Sequence, residues 1–182
     1  MTDSPESSLT VRRIRADEWE LVRSLRLAAT ADPDAGIAFL ETHESASAHP
    51  EEFWVTRTED AALSETVAQF LAVSDGDVVG TASVLVRATG QRDHLGRIVD
   101  DRRADVVGVY VDPAGRGTGA IDALLAAAGA WVATLGLREI HLDVHRDNLR
   151  AQGAYRRAGF APTGETLTGP IGPELVMAKR LA

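Results

Sequence analysis

Residues 112–119, Asp-Pro-Ala-Gly-Arg-Gly-Thr-Gly, place three glycines between an apolar run, DVVGVYV at 105–111, and a stretch with helical spacing at 120–134. Glycines let a ligand approach backbone N–H groups closely, and a helix N-terminus favours negative charge. The chemistry implied is anion binding, a phosphate or pyrophosphate above all, with Arg116 able to add a charge-assisted hydrogen bond. A P-loop requires G-x-x-x-x-G-K-[ST], and no Lys follows at that spacing. Gly115-x-Gly117-x-x-Ala120 matches the letters of a dinucleotide fingerprint, with Glu139 about 20 residues on. Too little chain follows for a dinucleotide sheet built outward from this turn. A glycine-rich helix entry with no ligand is the plain alternative.

A second group is His141, Asp143 and His145, on one face of the alternating segment 138–145. Same-face side chains on a strand stand ~7 Å apart, so three in a row rarely converge on a metal ion. No metal site is expected. His145, near the end of the segment, is a candidate base because an imidazole titrates near neutrality. Trp19, Phe53 and Trp54 suit either an acceptor pocket or the core, and core packing is the plainer reading.

The elements that must position these groups follow from periodicity. Residues 9–14 read as a short strand. Asp17 opens a helix with Glu20 as its capping-box partner, and Asp32-Pro33-Asp34 stops it. Residues 35–65 are acidic, with a short helix at 50–56 and a flexible look at SASAHP. Segments 67–73 and 78–86 form a β-hairpin around Ser74-Asp75-Gly76-Asp77. Residues 87–104 read as a long mobile connection, a surface loop or a lid. Then come a strand ended by Pro113, a helix from 120 to 134 and the strand 138–145. A helix at 148–158 closed by Gly159 and two strands near 160–166 and 174–181 complete the chain. The class is α/β (α+β), and the 182 residues fit a single domain.

The composition is that of a globular protein without cysteine, which excludes a disulfide framework, a thiolate metal site and a cysteine nucleophile. No apolar run reaches the ~20 residues that cross a bilayer, the N-terminus lacks a secretory core, and a cytoplasmic location without membrane association is expected. The net charge of −8 argues against nucleic-acid binding. It is unevenly placed: the first 60 residues carry 13 acidic and 6 basic groups. An acidic surface serves solubility, and it is also compatible with a cationic amine substrate.

VYVDPAGRGTGAIDALL at 109–125 resembles the acetyl-CoA-binding motif of the GNAT N-acetyltransferase superfamily, written [QR]-x-x-G-x-[GA], with Arg116, Gly117, Thr118 and Gly119 in place. Ile121 departs from the Gly or Ala most common there. DNLRAQGAYRRAGF at 147–160 resembles the second signature, N-x6-Y-x3-GF, through Asn148, Tyr155, Gly159 and Phe160. Close resemblance covers about residues 105–162. It implies a mixed, mostly antiparallel central sheet, splayed between strands 4 and 5, with helices on both faces. It also implies acetyl-CoA as co-substrate. The pantetheine arm would lie along Val109, Tyr110 and Val111, and the pyrophosphate on Arg116, Gly117, Thr118, Gly119, Ala120 and Ile121, with Asn148 and Tyr155 adjoining.

The reaction this implies is acetyl transfer from the thioester to a primary amine. Tyr155 matches the usual proton donor to the departing sulfur, and backbone N–H groups near Tyr110 and Val111 would stabilise the oxyanion. Asp143 and Asp105 are the candidate bases, acting through water. Asp105 is taken to share a strand face with Val107, Val109 and Val111. The acceptor is a small-molecule amine rather than a peptide amine, and a homodimer is compatible with the resemblance. Alternatives are a protein N-terminal or lysine acetyltransferase and a non-catalytic acyl-CoA-binding domain. On this reading the acidic first 60 residues form the acceptor side.

Overall fold

The alternating and helical patterns resolve into one mixed sheet covered on both faces. The structure, a computed structural model, describes residues 8–182. Chain order is β1 (Leu9–Arg13), α1 (Trp19–Ala31), α2 (His43–Ala48), α3 (Glu51–Leu63), β2 (Val67–Ser74), β3 (Asp77–Arg87), β4 (Arg103–Val111), α4 (Ala120–Thr134), β5 (Glu139–His145), α5 (Leu149–Arg157), β6 (Ala161–Gly169) and β7 (Gly172–Arg180). Short 3-10 turns lie at Ala35–Ile37 and Pro113–Gly115. The seven strands are ordered β1-β2-β3-β4-β5-β7-β6. Neighbours are antiparallel except β4 and β5, which run parallel and pair only at Asp105 opposite His141. Past that pair neither strand has the other as a partner, and the sheet opens toward both C-terminal ends. Among the described residues no helix is long and apolar enough to cross a membrane.

On one face α4 lays Leu124, Leu125, Ala128 and Val132 onto Phe70, Val84, Val106, Ile140 and Leu142, and Tyr155 of α5 joins the same cluster. Each large apolar side chain so buried contributes about 1.5–3 kcal/mol, which holds the start of α4 at the end of β4. On the other face Val22 and Leu25 of α1 and Trp54 and Ala61 of α3 pack on Leu71 and Ile14. Trp19 and Phe53 pack against this second cluster, so the three aromatics considered for an acceptor pocket belong to the core.

The hairpin turn is as expected: Asp75 and Gly76 have φ of 52° and 92°, the left-handed pair that a two-residue turn with the sheet's twist requires. Other local features differ from the sequence reading. α1 starts at Trp19 with no side-chain cap. Glu18 instead accepts from both Arg12 and the Arg15 backbone, so no capping box forms. Residues 43–48 are helical, capped by Thr42 and anchored by the fully buried Ala46. α3 runs to Leu63, well past residue 56.

Two corrections bear on the site. The 87–104 connection is a pinned hairpin: Arg92 bridges Ile98, and Val99 is buried. In β4, Thr81 pairs with Tyr110 but Ser83 pairs with Val107, so Gly108 and Val109 together oppose Ala82. Gly108 takes φ of 61° at this bulge. The extra residue reverses the alternation. Val106, Val109 and Val111 face the α4 side, whereas Tyr110 packs with Ala29 and Phe39 toward α1. Asp105 therefore does not share a face with Val109 and Val111.

Candidate active site

The opening between β4 and β5 forms a cleft of about 890 Å³, entered by residues from both faces of the sheet. Val109, Tyr110, Val111, Arg116, Gly117, Gly119, Ala120, Ile121, Asp143, Asn148 and Tyr155 all line it. Sequence-selected residues from four separate segments are thus brought together. Thr118 and Asp105 are the candidates that do not line it.

At the mouth, the glycine turn is an open cradle. A Cβ on Gly117 or Gly119 would meet no atom within 4 Å, and both have positive φ, 81° and 86°. These glycines serve backbone shape and ligand approach, not packing. Gly119 is the N-cap of α4 and supplies no side-chain cap. The first N–H groups of a helix have no intrahelical acceptor, so they are available to an anion. Thr118 closes the turn by donating its hydroxyl to the Gly115 carbonyl at 2.7 Å. Ile121 packs against the main core while lining the cleft. Arg116 differs from expectation: its guanidinium pairs with Asp32 at 2.6 Å and donates to the Val111 carbonyl, tying the turn to the end of α1. Asn148 caps α5 by accepting from the Ala151 N–H.

Deeper in, Tyr155 is 8% exposed with its ring 6.2 Å from Phe160. Burial pushes its phenol up to about 12. The edge of β4 from Val106 to Val111 runs alongside without a β5 partner.

The two candidate carboxylates part company. Asp105 is 1% exposed and bonded to Arg103 at 2.7 Å, at the joint where β4 and β5 still pair. Asp143 lies in the cleft. Burial by itself would raise its pKa, but a hydrogen bond from His94 and the charge and hydrogen bonds of Arg97 hold it below the usual range. Arg97 reaches it at 2.6 Å and also grips Asp93, clamping the 88–102 hairpin onto β5. His94 Nε2 lies 3.4 Å from Asp143. The neighbours in the alternating row turn elsewhere: His141 meets Glu139, and His145 Nδ1 accepts the Asp147 N–H. The row does not converge.

Four site residues escape the sequence reading. His94 and Arg97 come from the segment read as a loop; the pattern Asp93-x-x-Gly96-Arg97, a polar turn with φ of 80° at Gly96, is its only local signal. Glu174 stands opposite His145 across β5 and β7. It is 4% exposed, and burial followed by the charge of Asp143 raises its pKa. Among the described residues, His94 Nδ1 and Glu174 Oε2 are buried without a hydrogen-bond partner. Arg57, on α3, lines the cleft from the far wall beside Arg26.

The acceptor wall also corrects the charge reading. Glu41 is tied to Arg26 and His49, and Glu44, Glu51 and Glu52 do not line the cleft. Asp32 and Asp34 do, but they pair with Arg116 and Arg150.

The family model described as Acetyltransferase (GNAT) family matches residues 21–160. An aminoglycoside N(6')-acetyltransferase type 1 from Stenotrophomonas maltophilia is 32% identical over 106 residues, covering 58% of this chain and 67% of that protein. A mycothiol acetyltransferase from Amycolatopsis mediterranei is 36% identical over 118 residues, 62% of this chain and 38% of that one. Among solved structures, PaiA N-acetyltransferase from Thermoplasma acidophilum in complex with coenzyme A superposes with a TM-score of 0.72 at 19% identity, covering 95% of this chain and 99% of that chain.

Proposed function

This chain belongs to the acetyltransferase (GNAT) family, and we propose that it acetylates a small primary amine in the β4–β5 cleft, with Glu174 taking the amine proton and Tyr155 hydrogen-bonding the departing sulfur. It is an N-acetyltransferase with acetyl-CoA as co-substrate. The observation that carries the site is the meeting, in one cleft, of the glycine cradle, the unpaired edge of β4 and Tyr155.

Acetyl-CoA supplies a thioester whose acyl carbon is open to a neutral amine. The residues fit it: the backbone N–H groups of Gly117, Gly119, Ala120 and Ile121 would take the pyrophosphate, and Val109, Tyr110 and Val111 the amide-bearing arm. In the transfer the N–C bond forms as the C–S bond breaks. The amine must first lose a proton, since an ammonium has no lone pair. A carboxylate whose pKa is raised is a better proton acceptor than one held low. This favours Glu174 over Asp143, whose pairing with Arg97 and His94 keeps it an anion. Asp143 then acts as a positioning residue, holding His94 and supporting the raised pKa of Glu174. Asp105, bonded to Arg103 outside the cleft lining, has no such access.

A small acceptor suits a cleft enclosed by α1, α5, β7 and the 88–102 hairpin. Release of free thiol from acetyl-CoA against a panel of amines tests the reading, alongside the melting temperature with acetyl-CoA or NAD. The expected outcome is stabilisation by acetyl-CoA alone and thiol release with at least one small amine. No stabilisation at millimolar acetyl-CoA overturns the cofactor site; thiol release only with peptide or protein amines overturns the acceptor class.

A further inference from the structure

The acceptor half of the cleft holds an uncompensated cation. Arg26 gives its guanidinium to Glu41 at 2.7 Å and lies 5.0 Å from the Phe39 ring centroid. Glu41 also takes His49 at 2.7 Å, so this carboxylate is shared already. Among the described residues, Arg57 has no carboxylate within ion-pair distance. Burial, then the like charge of Arg26, lower its pKa, with Glu41 opposing. Solvent still reaches it through the cleft.

Its position separates it from the phosphate cradle. Arg57 also borders a small space under α1 bounded by Arg26, Gln69, Ser83 and Gly108. A Cβ on Gly108 would stand 3.9 Å from Arg26 Nη1. The two guanidiniums therefore overhang the bulge midway along β4, whereas the cradle lies beyond the strand's end. The other charges of this half are already matched: Asp143 with Arg97, Asp32 with Arg116, Asp34 with Arg150. Arg57 and Glu174 stay unmatched, one on each wall. The same cleft is also lined by the apolar side chains of Ile37, Phe39, Leu40 and Leu95.

We propose that Arg57 binds a carboxylate of the acceptor, and that the acceptor is an α-amino acid with an apolar side chain, its amine directed to Glu174. Two groups of opposite sign in one cleft that also carries apolar lining match a zwitterion with an apolar body, and a planar guanidinium suits a carboxylate. The inference rests on acetyl transfer to a small amine and deepens it. A polycationic acceptor would meet Arg57 and Arg26 as repulsive charges.

The test is steady-state thiol release by the full chain with L-leucine, L-methionine and L-phenylalanine, each as free acid and as amide, and with phenethylamine. The wild type is expected to prefer the acids. Arg57→Gln is expected to reduce the acid-to-amide ratio of kcat/KM by about 10- to 100-fold, the range of a lost charge-assisted hydrogen bond. Most of the loss lies in the acceptor KM, and Arg57→Lys restores part of it. The acetyl-CoA-induced rise in melting temperature reports that each variant is folded. Amides or phenethylamine used as well as the acids, or an equal loss for acids and amides in Arg57→Gln, overturns the carboxylate site while acetyl transfer stands. Thiol release from none of these amines overturns the amino-acid acceptor, and release with other small amines of the wider panel then shows that acetyl transfer itself stands.

Discussion

Replacing Tyr155 with Phe removes one oxygen and leaves the ring against Phe160, so it separates chemistry from packing. The phenol is pushed up to about 12, and a cysteine-type thiol titrates near 8.5. Complete proton transfer to the departing thiolate is therefore uphill by roughly 3.5 units, or about 5 kcal/mol. Tyr155 acts as a hydrogen-bond donor to the developing charge, an interaction worth about 1.5–3 kcal/mol. That corresponds to a fall in kcat of about 10- to 150-fold at 1.36 kcal/mol per tenfold. Because the folded-state pKa is raised, the donor stays protonated through neutral and mildly alkaline pH. The fall should then be the same at pH 6.5 and 9. Among the described residues no hydrogen bond reaches the hydroxyl, so stability should move by no more than about 1 kcal/mol. Stopped-flow thiol release gives kcat, and the acetyl-CoA melting shift gives binding. A loss below threefold in kcat, or a lost melting shift with kcat falling in step, refutes the donor role and returns Tyr155 to packing.

Three further outcomes follow from the geometry. The charge of Asp143 raises Glu174, so Asp143→Asn should lower the pKa of the acidic limb of kcat/KM and extend activity to lower pH; an unmoved or raised limb removes Glu174 as proton acceptor. Gly119→Ala costs only the strain of φ at 86°, about 1–2 kcal/mol, yet should weaken acetyl-CoA binding. Gly115→Ala instead brings its Cβ to 2.7 Å from Val79 Cβ, destabilising the fold by about 1–3 kcal/mol; identical profiles of melting temperature and acetyl-CoA affinity for the two variants would contradict the distinction. The Arg12 hydrogen bond holds Glu18 at about 2, below its ordinary 4.5. A lowered folded-state pKa stabilises above pH 4.5, and that contribution fades as pH falls toward 2. With Arg12 36% exposed, solvent screening limits it to about 1–2 kcal/mol. Urea unfolding should show Glu18→Gln weaker than wild type at pH 7, with the gap reduced to roughly 40% at pH 3; the same gap at both pH values speaks against the linkage.

The parts of the fold legible in the sequence are those whose signal is local. The hairpin announced itself because Asp75-Gly76 can only turn one way between two apolar runs. The cradle did so because three glycines precede a helix whose apolar spacing is unambiguous. α5 was bounded by Asn148 and Gly159, a capping residue and a left-handed C-terminal glycine. Where competing local signals were equal, tertiary contact decided. Asp17 and Glu20 have the letters of a capping box, but Glu18 between them meets Arg12 of β1, and that ion pair displaced the helix start. The polar look of 43–48 concealed Ala46, whose complete burial against the rest of the chain orders the helix. The bulge at Gly108 is a register event between two strands, so no reading of β4 by itself could place Asp105 on its correct face.

The chemistry was less legible because it depends on which charges cancel. A count over the first 60 residues gives a strongly acidic segment, and on that count a cationic substrate is attractive. The folded pairings reverse the local sign. Glu41 is consumed by Arg26 and His49, Asp32 and Asp34 by arginines from distant segments, and the glutamates at 44, 51 and 52 do not line the cleft. The same segment presents Arg57 to the cleft, with no ion-pair partner among the described residues. Likewise Asp143 reads as a base until Arg97, 46 residues earlier, is seen to neutralise it, and Glu174 gains its raised pKa partly from that same Asp143. Net charge governs long-range attraction, but in the cleft the ligand meets the groups left unpaired. For this chain Arg57 and Glu174 are left so, and on the proposed reading the pair matches a zwitterion where composition alone suggests a plain cation.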